Sequence, residues 1–136
     1  MGFEPKTRLE GKTREIAMGA SKTVTKGNHC KIVSGYLEAG AAGDNEAEYI
    51  AMETKTSSAV AGADFALVLL IDDEIEFEAL TDITPVQATH VGIDVDFNTA
   101  AQLELGATTD KVFHVDSIVS AANKVVKGRF NKPALA

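Results

Sequence analysis

Apolar and polar residues alternate with a period of two along much of this chain, the rhythm of strands with one buried and one wet face. In "IDDEIEFEAL" (71–80), Ile75, Phe77 and Ala79 alternate with Glu74, Glu76 and Glu78. In "HVGIDVDF" (90–97), Val91, Ile93, Val95 and Phe97 alternate with Asp94 and Asp96. Both patterns predict strands with the apolar set facing in and the acids facing out. "FALVLLI" (65–71) is an unbroken apolar run of core-strand length, and "CKIV" (30–33) follows a Lys-Gly-Asn turn signal. "EYIAME" (48–53) reads as a short strand, and Asp72-Asp73 suits a hairpin turn. The small, polar stretches "AGAAGDNEA" (39–47) and "TKTSSAVAGAD" (54–64) predict loops.

Three segments depart from that rhythm. "NTAAQLELG" (98–106) predicts a short helical turn, with Asn98 as N-cap and Gly106 as stop. "VDSIVSAANKVVKG" (115–128) has two readings. One is a helix bearing Ile118, Val119, Ala122, Val125 and Val126 at helical spacing; the other is two strands joined by a "SAAN" turn. Residues 1–21 mix charge with Gly and Thr and predict an extended N-terminal arm, which leaves 22–136 as the folded domain. Roughly seven short strands with Gly- and Asp-bearing loops give a mainly β protein, a small β-barrel with one or two short helices.

Composition adds limits. A chain of 136 residues fits one domain that buries a core without staples. The single cysteine, Cys30, rules out an internal disulfide framework and fits a reducing compartment. No apolar run approaches the ~20 residues of a membrane-spanning helix. The charged N-terminus does not read as a signal peptide, and Lys6 occupies the position where a myristoylation signal needs Ser or Thr. No membrane partner is expected.

Charge changes the picture more. The net of −7 divides unevenly. Residues 1–26 hold six cations against three acids, and 124–136 hold four cations and no acid. Residues 27–123 hold three cations against 17 acids. An acidic body repels phosphate, so nucleic acid is not an expected partner. Basic ends suit an acidic protein surface.

Candidate chemistry is sparse. No phosphate-cradling loop and no nucleophile elbow is present. His29, His90 and His114 lie far apart with no Cys or His at ligand spacing, and Cys30 beside His29 points to the opposite face of a strand. Glu74, Glu76 and Glu78 share a strand face about 7 Å apart, too far for two of them to share a proton or a cation. The acids read as a solvated face, and the expectation is a protein without enzymatic activity, cofactor or metal.

The order "VTKGNHCKIVSG", "AEYIAMET", "ALVLLIDDEIEFEAL", "THVGIDVDF", "KVFHVDSIV" and "KVVKGRFN" resembles the small decoration (cement) proteins of tailed-phage capsids. The likeness covers roughly residues 22–131 and rests on structural signatures. It implies a β-tulip-like barrel, a homotrimer on the capsid exterior, and the major capsid protein as partner. It also implies that residues 1–21 run along the shell, which makes Lys6, Arg8, Leu9, Lys12, Arg14 and Ile16 the candidate capsid-binding residues. Capsid binding should then weaken with salt and with deletion of 1–21. A tail or fibre module and a cellular β-barrel binding domain are the alternatives.

Overall fold

The computed structural model describes residues 2–6, 11–45, 47–72 and 74–131. Along the chain these form β1 (Glu4–Pro5), β2 (Thr13–Ala17), β3 (Thr23–Val24), β4 (His29–Val33), β5 (Tyr36–Ala39), β6 (Tyr49–Ala51) and β7 (Lys55–Thr56). They continue with β8 (Phe65–Leu70), β9 (Phe77–Thr81), α1 (Gln87–His90), β10 (Asp94–Thr99), β11 (Gln102–Glu104), β12 (Phe113–Ser120) and β13 (Val125–Phe130). The fold is mainly β, as the period-two patterning requires.

The strand order β9-β11-β10-β12-β13 returns to β9, because β13 also pairs antiparallel with β9. This closes a small barrel and removes its open edges. On its other side β9 pairs antiparallel with β1 through Phe77 and Glu78, then parallel with β11 through Leu80 and Thr81. The alternation does the work expected of it. Ile75, Phe77, Ala79, Val95, Phe97, Phe113, Val115, Val126 and Phe130 are all buried in one core. Phe130 lies 5.0 Å, centroid to centroid, from each of Phe3, Phe77 and Phe113, and 6.1 Å from Phe97. Gly128 lets β13 come this close: a Cβ there would sit 1.9 Å from the His114 carbonyl oxygen and 2.7 Å from the Phe113 ring.

A second sheet, β2-β8-β6-β4-β5, is antiparallel throughout. It curls around Met18, Val24, Cys30, Leu37, Ala51, Ala66 and Val68. One parallel bridge, Met18 to Leu37, brings its two outer strands together at a single point. Ile50, Leu69 and Ile71 from this side join the barrel core, so the two sheets share apolar packing.

Three expectations are corrected and one open alternative is decided. Residues 2–6 and 11–21 are not a separate arm: Phe3 is buried among the barrel phenylalanines, β2 pairs along its whole length with β8, and Met18 is fully buried. Deleting 1–21 would therefore remove core and sheet together. Residues 98–106 form a hairpin, β10 to β11, because Leu103 and Leu105 alternate inward instead of lying on a helical face. Of the two readings of 115–128, strand-turn-strand is the one adopted. Asp96 is buried, its carboxylate accepting the backbone N–H groups of Thr109, Asp110 and Lys111 at 3.1, 2.8 and 2.8 Å.

Truncating Phe130 to Ala should cost about 3–5 kcal/mol, as for a large core aromatic that leaves a cavity. The same truncation of Phe65, which is 49% exposed, should cost under about 0.5 kcal/mol. Urea denaturation of the two variants tests this ordering; equal losses would contradict the aromatic hub.

Candidate functional site

The charged side chains come first, because they decide which cations a partner could use. On the outer barrel wall Glu76, just before β9, and Asp116 of β12 meet the cations of the basic end strand. Lys127 lies 3.5 Å and Arg129 4.0 Å from Glu76, and Arg129 lies 3.8 Å from Asp116. His114 contacts Asp94 at 2.9 Å and Asp116 at 3.7 Å. The Asn131 amide, with His114 beside it, holds the Asp94 carboxyl below its ordinary range. Lys6 pairs with Glu4 at 2.8 Å and Glu78 at 3.6 Å. The face expected to be only wet is a cross-strand lattice of opposite charges. Each exposed pair contributes under about 1 kcal/mol, yet together they occupy cations that would otherwise face a partner.

Among the candidate binding residues, Lys6 is thus engaged, and Lys12 pairs with Asp72. Ile16 is half-buried against the second core. Arg8 and Leu9 lie outside the described residues. Arg14 differs. Its guanidinium donates to the carbonyls of Gly11 and Thr13, both at 2.8 Å, at an exposed position.

Arg14 belongs to β2, and the geometry of that strand makes it the candidate site. The Lys12 carbonyl accepts the Leu70 N–H at 2.7 Å, and the Met18 N–H donates to Asp64 at 2.8 Å. With the register Thr13↔Leu69 through Ala17↔Phe65, residues 12, 14, 16 and 18 turn their main-chain groups toward β8. Thr13, Glu15 and Ala17 turn theirs outward. Among the described residues no other strand pairs with this edge until Met18 reaches Leu37 and the Gly19 N–H donates to the Leu37 carbonyl at 3.2 Å. The Thr13 carbonyl accepts from Arg14 and the parallel bridge to Leu37 takes the Ala17 carbonyl, which leaves, among the described residues, the outward N–H groups of Thr13 and Ala17 and both main-chain groups of Glu15. An open edge is a template for one more strand.

The edge is written against itself. Two copies pairing antiparallel must match outward-facing residues, so the register centres on an integral residue. Centred on residue 15, it sets Glu15 opposite Glu15; centred on residue 14, it sets Arg14 opposite Arg14. Like charges directly opposite are destabilising. Centring on residue 16 runs the partner into Gly19, which β5 already covers. A foreign strand with a basic residue opposite Glu15 and an acidic one opposite Arg14 meets none of these penalties. Beside the edge, Ala17 pairs with the exposed Phe65, which gives such a strand an apolar neighbour.

Other candidate chemistry is thin. A cleft of about 410 Å³ beside β1 is walled by main chain and by Phe3, Ile50 and Met52, with Glu4 and Lys26 as its charged groups. Burial pushes the Cys30 thiol up to about 12, so it is not a thiolate nucleophile at neutral pH. Cys30 packs in the second core while His29 stacks on the barrel ring of Phe97, the opposite-face arrangement that strand geometry predicts. Among the described residues no three His, Cys, Asp or Glu side chains group to hold a cation. The main-chain edge of Thr13, Glu15 and Ala17 is absent from the sequence-based candidates, since "TREIA" lacks the in-out alternation that marks the other strands. No family model matches the chain, and neither does any characterised protein or solved structure.

If charge is what keeps the edge unpaired, the double variant Arg14→Thr, Glu15→Val should form larger assemblies than the parent at equal concentration. Sedimentation velocity reads this directly, and an unchanged profile would refute the charge argument.

Proposed function

We propose that this chain is a non-enzymatic structural protein of a phage capsid exterior, and that it docks through the open edge of β2 onto an extended segment of the major capsid protein. The observation that carries the reading is that edge: outward N–H groups at Thr13, Glu15 and Ala17 and the Glu15 carbonyl, with charges that disfavour self-pairing and admit a foreign strand. The stretches behind the resemblance support it in a second way. Their "EFEA" running into β9, their "VGIDVDF" leading through β10 and their "GRF" in β13 close and line the barrel, while their turn at Lys26–Asn28 leads into β4 of the second sheet. The likeness therefore concerns how the two sheets are built, and the β-tulip description belongs to this proposal.

Backbone pairing suits a protein that must bind many equivalent lattice positions. The ladder supplies affinity without a pocket, while Arg14 and Glu15 fix the register. A trimer would engage three such segments together, so that weak single contacts add through high effective concentration. The net negative body keeps free copies apart in solution.

Glu15→Pro is the discriminating variant. Its N–H points away from β8, so proline removes an outward donor and leaves the β2–β8 ladder intact. It should lose binding to undecorated capsid shells at least tenfold while its unfolding midpoint stays close to that of the parent. Ile16→Pro, which breaks the internal ladder, should instead unfold the sheet. Full decoration by a folded Glu15→Pro protein would sink the edge-docking proposal.

A further inference from the structure

His29 stands where the two sheets meet, and nothing in the surface chemistry above makes use of it. The side chain is fully buried. Its imidazole stacks on Phe97 of the barrel with centroids 3.7 Å apart and planes 9° from parallel. Gly40 closes against the same ring: a Cβ there would lie 2.0, 2.2 and 2.5 Å from three ring atoms, so glycine is the residue this position admits. The His29 backbone is anchored on both sides, its N–H donating to Ala100 at 2.8 Å and its carbonyl accepting from Gly40 at 2.9 Å. Neither ring nitrogen has a hydrogen-bond partner.

A neutral imidazole tolerates such a slot as a flat, weakly polar disc. An imidazolium does not, because it presents two charged donors to a dry site whose nearest acceptors, the Ala41 main chain and the Asp44 carboxylate, favour the proton but make no well-formed hydrogen bond to the ring. The charged groups facing it are few. The Asp44 carboxylate lies 3.9 Å from Nδ1, beyond hydrogen-bond reach. That carboxylate is already held by the Ala41 N–H at 2.8 Å and by Lys31 at 3.0 Å. Lys31, the second charge on this side, opposes a proton on His29. From the barrel side the facing groups are the Phe97 ring and the Ala100 carbonyl, neither of them titratable. Relief must come from the loop, since Phe97 is fixed in the closed barrel. Ala41, Ala42 and Gly43 are solvent-exposed, and the hydrogen bonds that shape the loop run through Asp44 itself.

We propose that His29 is an acid-operated latch between the barrel and the second sheet: a proton taken up by its ring swings the 40–45 loop away, lets Asp44 or water reach the imidazolium, and loosens the stack on Phe97. The element is bistable in the sense a switch needs, a dry stacked arrangement for the neutral ring and an open, hydrated one for the charged ring.

Burial lowers the His29 pKa from 6.5 to about 4 in the folded state, with Asp44 pulling the other way. A base whose folded pKa is depressed leaves stability untouched above the unfolded value and erodes it as pH falls from 6.5 toward 4. Across that window the folding equilibrium should lose up to roughly 300-fold, one proton's worth of linkage. The lowered carboxylates Glu4, Asp64, Asp72 and Asp94 act at the acid end of the window or below it, and His90 and His114 are common to the parent and a His29 variant, so the difference between those two over pH 6.5 to 4.5 isolates His29.

The test compares the parent with His29→Phe and Asp44→Asn at pH 7.5 and 4.5. Backbone protection factors from hydrogen exchange are read over 40–45 and β4, together with urea midpoints. In the parent, acid should open the 40–45 amides at least tenfold relative to the barrel strands and lower the midpoint. His29→Phe should show neither change in this window, and Asp44→Asn should move the opening to lower pH. An acid response that survives His29→Phe overturns the latch. Should that variant fail to fold, the parent's His29 ring resonances decide: titration near 6.5 with an unmoved loop also overturns it.

Discussion

Phe130 packs at once against rings contributed by Phe3, Phe77, Phe97 and Phe113, and the closure of the barrel depends on that convergence. The ring reaches the centre because Gly128, two residues earlier on the same side of β13, has no side chain to hold the strand off β12. Once β13 is seated, β9 is paired on both sides and five strands of the sheet have become a ring. Offset and edge-to-face geometry among the five rings adds to the large apolar area they bury. The second sheet depends on this arrangement in turn, since Leu69, Ile50 and Ile71 complete the same core.

Electrostatics follows from the packing and not the reverse. Bringing β13 onto β9 and β12 sets Lys127 and Arg129 beside Glu76 and Asp116, so the basic end of the chain neutralises part of the acidic body. The separation of charge along the sequence is largely undone in space. What stays available is local: Arg14 and Glu15 on a short open strand, where adjacent opposite charges select among registers instead of attracting a surface at large.

The elements that could be read along the sequence are those whose side chains obey a two-residue rhythm against a single core. "EFEAL" and "VGIDVDF" are of that kind: Phe77, Ala79, Val95 and Phe97 are buried as expected and Ile93 packs partly buried against them, while Leu80 and Val91 are only half-buried. Residues 98–106 misled because Ala100 and Ala101 at the turn mimic a helix start, although Gln102-Leu103-Glu104-Leu105 carries the strand rhythm. Residues 13–17 gave no warning of β2. Their partner strand lies some fifty residues away, and three of the five side chains are exposed. Asp96 was unreadable for a different reason: its carboxylate serves backbone N–H groups of a loop thirteen to fifteen residues on, a role no local pattern encodes. The docking edge consists of main-chain groups, which every residue but proline supplies, so composition could not mark it.

β9 lies near the middle of the chain, yet one of its sides is met by β1 from the beginning and the other by β13 from the end. A strand arrangement of this kind has no local half that can finish alone. During synthesis the central strand must wait, with Ile75, Phe77 and Ala79 lacking their final neighbours, until the last strand has left the ribosome. The core then forms by contacts far apart in sequence, which makes folding slow and concerted. The same feature binds the two ends of the chain to one strand, so that loss of either end is felt at the other.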